Sequence, residues 1–163
     1  MNQVRVFITG GTFDKEYDEI NGRLYFKDSH VPEMLRLGRC LAPIDLRTLM
    51  MVDSLDMSDA DRELILQNCR LAAENRIVIT HGTDTMDMTA QVLGKAGLNK
   101  TIILTGAMVP YKFGSSDGLF NLGAALAFAQ TLPAGVYVAM NGRILNWDNV
   151  IKDRRTGEFR EKN

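Results

Sequence analysis

The chain has 163 residues, 45% of them hydrophobic and 24% charged, with a net charge of −1. That length suits one domain with a sizeable core, and the composition is that of an ordinary soluble globular protein. The near-zero charge leaves no basic field for nucleic acid or anionic membrane, and no apolar run approaches the roughly 20 residues that span a bilayer.

The first strand-like run, VRVFI (4–8), starts so early that no signal-peptide core precedes it. It runs straight into Thr9-Gly10-Gly11-Thr12. Two glycines there permit a sharp turn or a close backbone approach, and either threonine hydroxyl is a hydrogen-bond partner or a nucleophile. IDLRTL (44–49) is the next strand, and SDADRELILQNCRLAAEN (58–75) reads as a helix. Ser58, three residues before Asp61, comes close to a capping box. RIVIT (76–80) and TIILTG (101–106) are strands, each followed by a helical stretch, 84–97 and 117–130. In the second of these Leu119, Leu122, Leu126 and Ala129 share one face, and Asp117 reads as its N-cap. GVYVAM (135–140) is the last strand, and the tail from Lys152 onward reads as a solvated end. Near-continuous Val/Ile/Leu runs suit a parallel sheet covered on both faces, and the alternation predicts an α/β layered fold with right-handed crossovers. The nine methionines read as core filler. Cys40 and Cys69, lacking metal or redox spacing, read as reduced, half-buried thiols of a cytoplasmic protein.

The polar loops fall at one kind of place. TGGT follows the first strand, HGTDT (81–85) the third and TGAM (105–108) the fourth. All three lie at carboxyl ends of parallel strands, the edge where open α/β sheets bind ligands. No phosphate-loop or dinucleotide fingerprint is present. His30 and His81 are the only histidines, with no zinc-ligand spacing. No nucleotide cofactor and no metal are therefore expected. A hydroxyl nucleophile then needs another base. Thr83, Asp84 and Lys152 can move a proton if burial holds the lysine neutral. Thr83 also suits a helix cap; the two roles are compatible, because helix-start N–H groups also serve a developing oxyanion. His81 reads as a residue that orders its loop.

The motifs TGGT, THGTDTMDMTA, ILTGAMVP and SSDGLFNLGAAL occur in this order. Together they resemble the amino-terminal domain of the bacterial-type L-asparaginases, from residue 4 to about 155. The resemblance implies a three-layer, mainly parallel, flavodoxin- or Rossmann-like sheet with helices on both faces, and cofactor-free hydrolysis of a small amide. On it, Thr12 matches the nucleophile, and Thr83, Asp84 and Lys152 match the group that manages protons. Ser54, in VDSLDM (52–57), matches the residue that binds the substrate's α-carboxylate, with Asp56 following at the usual offset. Gly11 and Gly82 line the same substrate site. Two tyrosines compete to assist the nucleophile: Tyr17 in KEYD and Tyr25 in RLYF.

The family usually carries a smaller second domain, and this sequence ends at Asn163. The expectation is one asparaginase-like domain over 1–163 without that second domain. The expected function is an amidohydrolase; the alternatives are a non-catalytic binder of an acidic metabolite and a partner-dependent regulatory subunit. A cleft with no second domain to close it predicts a homo-oligomer, at least a dimer. The 152–163 tail, with Arg154, Arg155 and Arg160 as carboxylate grips, is expected at a subunit contact or the cleft mouth.

Overall fold

All five runs read as strands lie side by side in one sheet of the computed structural model, which describes residues 3–163. The first two residues of the expected 1–163 domain lie outside the described residues. The strands are β1 (Val4–Gly10), β4 (Ile44–Val52), β5 (Arg76–Thr80), β6 (Thr101–Thr105) and β7 (Gly135–Met140), with β8 (Arg143–Asn146) added at one edge. Their order is β4-β1-β5-β6-β7-β8; the first five are parallel and β8 is antiparallel. Asn141 and Gly142, both at positive φ, make the two-residue turn into β8, as an Asn-Gly hairpin requires.

Helices cover both faces. On one, α2 (Asp59–Leu71) and α3 (Met86–Lys95) bury Ile65, Leu66, Cys69, Ala90 and Leu93 against Phe7, Ile77, Ile79, Ile102 and Leu104. On the other, α1 (Val31–Leu37) and α4 (Gly118–Thr131) bury Val31, Met34, Leu122, Leu126 and Ala129 against Val4, Val6, Ile8, Val78 and Ile103. Alternate residues of each strand thus feed opposite layers, and each fully buried Leu or Ile contributes about 1.5–3 kcal/mol. The Ser58 capping box forms with both of its hydrogen bonds and starts α2.

Four sequence expectations need correction. The crossovers are not all of one hand. The β5–α3–β6 and β6–α4–β7 connections step across the sheet in the same direction, yet α3 and α4 lie on opposite faces. The crossover through α4 therefore has the reverse hand, one of the uncommon exceptions to the rule. Cys69 is not half-buried but fully buried, with its thiol pushed up to about 12 by burial; Cys40 is half-buried as expected. The nine methionines are not all core: Met34, Met57, Met86 and Met140 are buried, whereas Met88 and Met108 are exposed. The tail is not frayed. Strands β9 (Ile151–Lys152) and β10 (Phe159–Arg160) pair as a hairpin, and Phe159 is buried in the α2/α3 layer.

The remaining elements stand at the carboxyl edge of the sheet. A hairpin of β2 (Lys15–Asp18) and β3 (Arg23–Phe26) follows the first loop. Buried Asp14 accepts hydrogen bonds from the Ser29 hydroxyl and the His30 N–H, tying the entry of that hairpin to the start of α1. No helix among the described residues is long and apolar enough to cross a membrane.

Candidate active site

β1 has β4 on one side and β5 on the other, so the strand order reverses direction at β1. Such a switch point opens a crevice at the carboxyl ends of the flanking strands. TGGT leaves β1 there and HGTDT leaves β5 there. Thr9 Oγ1 donates to Thr80 O at 2.7 Å and ties the two strand ends together.

The glycines are explained by contact as well as by turning. Gly10 and Gly11 have φ of 101° and 76°, the region that favours glycine. A Cβ on Gly10 would stand 2.5 Å from Val52 N, and one on Gly11 2.4 Å from Gly82 Cα. A Cβ on Gly82 would meet the Ser54 side chain at 2.6 Å, and one on Gly106 the His81 carbonyl at 2.4 Å. The TGGT, HGTDT and TGAM loops are therefore pressed together backbone on backbone, with the Ser54 side chain packed against Gly82. This contact brings Gly11, Gly82 and Ser54 into one cluster, with Thr12 and Thr83 each next in sequence to a touching glycine.

Lys152 completes the second half of the site. Its Nζ donates to Thr83 Oγ1 at 2.8 Å and to Asp84 Oδ1 at 2.9 Å. Thr83 and the lysine side chain are largely buried and Asp84 is half-buried. Thr12 is half-buried in a single 3-10 turn, Thr12–Asp14, and among the described residues its hydroxyl bonds no protein group. It is free to meet a ligand.

Ser54 is buried and held by Thr85, whose N–H donates to Ser54 Oγ at 3.3 Å and whose hydroxyl donates to Ser54 O at 2.9 Å. Beneath Thr85 lies Arg62, 3% exposed, donating to Thr85 Oγ1, Thr89 Oγ1 and Met57 O. Sequence reasoning missed this buried guanidinium, although Arg62 falls three, four and seven residues before Ile65, Leu66 and Cys69 on the buried stripe of α2. Lys15 is ion-paired with Asp53 beside Ser54. Partial burial pushes Asp53 up, but the Lys15 ammonium and the Leu55 N–H outweigh it and leave the carboxyl below its ordinary value. Asp56 is exposed at the end of the Ser54–Asp56 turn.

The two tyrosines sit on opposite faces of the β2–β3 hairpin. Tyr17 is opposite Leu24 and Tyr25 is opposite Glu16, and cross-strand partners share a face while neighbours along a strand do not. Tyr17 shares its face with Lys15, which reaches Asp53, and its ring meets Phe113 edge-on at 6.5 Å. Tyr25 points the other way. Asp117 stands at the start of α4 but does not cap it. Its carboxylate accepts from the Met108 and Val109 N–H groups instead, bracing the TGAM loop.

His81 orders its loop as expected. Nδ1 faces Gly82 O at 2.7 Å, so Nδ1 carries the proton and Nε2 accepts from the Thr89 hydroxyl at 2.7 Å. Complete burial, with Arg62 nearby, pushes its pKa down to about 4. The folded value lies below the ordinary one of about 6.5, so the unfolded chain takes up the proton first as pH falls. Stability from the neutral ring is full above about pH 6.5 and is lost toward about pH 4, amounting to about 3 kcal/mol. Chemical denaturation between pH 7 and pH 4.5 should show this decline, and His81→Gln should flatten it. An equal decline in the variant would assign it to other groups.

The chain matches the family model described as "Asparaginase, N-terminal" over residues 3–157. L-asparaginase 1 of Escherichia coli strain K12 is 31% identical over 164 residues, covering 94% of this chain and 48% of that protein. The glutaminase-asparaginase of Acinetobacter glutaminasificans is 30% identical over 164 residues, covering 93% of this chain and 50% of its own length. The solved thermostable L-asparaginase of Thermococcus kodakarensis superposes with a TM-score of 0.86 at 30% identity, over 98% of this chain and 51% of that one. The chain thus spans about half the length of these relatives.

Proposed function

This chain belongs to the asparaginase family, matching its amino-terminal domain, and from that premise we propose that it hydrolyses a small amide to a carboxylate and ammonia with Thr12 as nucleophile. The observation that carries this reading is the Lys152–Thr83–Asp84 cluster, bonded at 2.8 and 2.9 Å on the loop whose Gly82 packs on Gly11. Thr12 Oγ1 attacks the amide carbonyl carbon and forms an ester, the C–N bond breaks, and ammonia leaves with a proton supplied by the site. Water then hydrolyses the ester. Thr83, Lys152 and Asp84 carry protons to and from the reacting groups. Backbone N–H groups of the HGTDT loop stabilise the developing oxyanion. Ser54, with Gly11, Gly82 and Asp56 beside it, binds the substrate's remaining polar end.

Of the two tyrosines, Tyr17 fits the helper role better, because it lies on the hairpin face that also carries Lys15 toward Asp53. Tyr17→Phe should lower kcat by about 100-fold or more, and Tyr25→Phe by far less. The reverse ranking in steady-state kinetics would reassign the role to Tyr25.

A homo-oligomer is supported by apolar surface rather than by the site. A groove of about 400 Å³ lies between α1 and α4, lined by Met34, Leu119, Leu122 and Leu126, and Leu37, Leu41 and Phe120 are exposed on the same helices and their flank. Free thiols at Cys40 and Cys69 fit a cytoplasmic location. The test of the activity is ammonia release from purified protein with asparagine, glutamine and succinamate. Release from at least one supports the reading, and none from any of the three, at millimolar substrate, overturns it.

A further inference from the structure

Arg62 carries a charge that pairs with no buried carboxylate among the described residues. It is 3% exposed, and its ion-pair partner is Asp59, 3.8 Å away on a fully exposed side chain where water screens the pair. Asp84, on the neighbouring loop, faces Lys152 and Arg154 instead. A guanidinium out of water persists only where its N–H groups are bonded. Two hydroxyls and a carbonyl supply the partners: Nη2 donates to Thr85 Oγ1 at 2.8 Å, Nε to Thr89 Oγ1 at 3.2 Å and Nη1 to Met57 O at 3.2 Å. So little of Arg62 reaches the surface that no group arriving from outside these residues can pair with it directly.

A guanidinium donates and never accepts. Both threonine hydroxyls must therefore accept its N–H groups and turn their own protons elsewhere. The Thr89 proton goes to His81 Nε2 at 2.7 Å, and the Thr85 proton to Ser54 O at 2.9 Å. One side chain thus directs two hydroxyls, the first ordering the HGTDT loop through His81 and the second holding the Ser54 turn. Ser54 Oγ in turn accepts the Thr85 N–H at 3.3 Å, and among the described residues its own O–H has no protein acceptor. That proton is left for a ligand oxygen. A positive charge fixed beneath it, out of water, makes a negative oxygen the favoured acceptor.

Resting on the amidohydrolase reading of this site, we propose that Arg62 is a positioning residue, which acts through Thr85 to hold Ser54 as a donor to a carboxylate of the substrate and whose buried charge favours that carboxylate over a neutral group. The competing role for Arg62 is a strut that merely fastens α2 to the start of α3.

Two measurements separate these roles. Calorimetric binding of L-aspartate to the full chain needs no turnover. Arg62→Met should weaken it about tenfold or more, and Arg62→Lys, which keeps a cation, should restore part of the loss. In parallel, asparagine is compared with its methyl ester, which keeps the amide and the amino group but loses the negative charge. Arg62→Met should raise KM for asparagine about tenfold with kcat little changed, and should leave KM for the ester nearly unaltered. A strut would instead lower turnover of both alike. If Arg62→Met does not fold, Thr85→Val keeps the guanidinium, cuts its link to Ser54 and should weaken aspartate binding to a similar degree. No aspartate binding by the parent, binding by these variants within about twofold of it, or equal losses on asparagine and its ester would overturn the proposal. Arg62-dependent aspartate binding without ammonia from any amide would sustain the role of Arg62 and defeat the amidohydrolase reading. Ammonia release with aspartate binding indifferent to Arg62 would do the opposite.

Discussion

Replacing Thr12 by alanine is expected to lower amide turnover by at least about a thousandfold while leaving the fold intact. The size of the effect follows from chemistry. Without the hydroxyl no ester forms, and the remaining groups stabilise charge around a substrate that nothing attacks. The tolerance of the fold follows from geometry. Thr12 is half-buried, and among the described residues its hydroxyl bonds no protein group, so its removal strands no buried partner. Stability should change by less than about 1 kcal/mol. Thr12→Ser, which keeps a hydroxyl, should retain a measurable part of the activity. Ammonia release from Thr12→Ala comparable with that of the parent would remove Thr12 from the role.

Gly11→Ala is expected to cost about 2–4 kcal/mol of stability and most of the activity. The new Cβ would stand 2.4 Å from both the Gly82 Cα and its N, at a residue with φ of 76°. Neither atom belongs to a flexible side chain, so the clash is relieved only by moving one loop off the other. That movement separates the segments bearing Thr12 and Thr83, which explains the paired loss of activity. Gly97→Ala is the internal control. Gly97 also has positive φ, 63°, but its Cβ would meet nothing within 4 Å, so it should cost only the backbone strain, about 1 kcal/mol. Urea denaturation of both variants separates strain from collision. Equal costs at the two positions would mean that the loops are not pressed together.

The layered sheet was legible in the chain because its signals are local. Val/Ile/Leu runs mark strands buried on both faces, and the Thr/Gly loops follow three of them at their carboxyl ends. The features that escaped depend on contacts between distant residues or on signals left unread. Asn21-Gly22 and Asn141-Gly142 are both hairpin-turn dipeptides; the first joins β2 to β3, both passed over by the sequence reading, and the second joins β7, which was read as a strand, to β8, which was not. Helix α1 has only seven residues, too few for a clear period. The reversed hand of the α4 crossover has no residue-level signature, because both faces of the sheet demand the same kind of apolar stripe. In the site, Lys152 and Asp84 came from the family pattern, yet Arg154 on the same carboxylate is a pairing across 70 positions that no local rule anticipates. Arg62 is instructive in another way. Its helical spacing puts it on the buried face, but a charged residue there reads as a surface position until its hydrogen-bond partners are seen.

The central claim is that Thr12 is acylated during turnover. Rapid acid quenching of the protein during turnover of its best amide, followed by peptide mass spectrometry, tests it directly. The predicted result is an added mass equal to the substrate's acyl group on the peptide carrying Thr12, absent from Thr12→Ala. The acyl group on any peptide without Thr12 would contradict it.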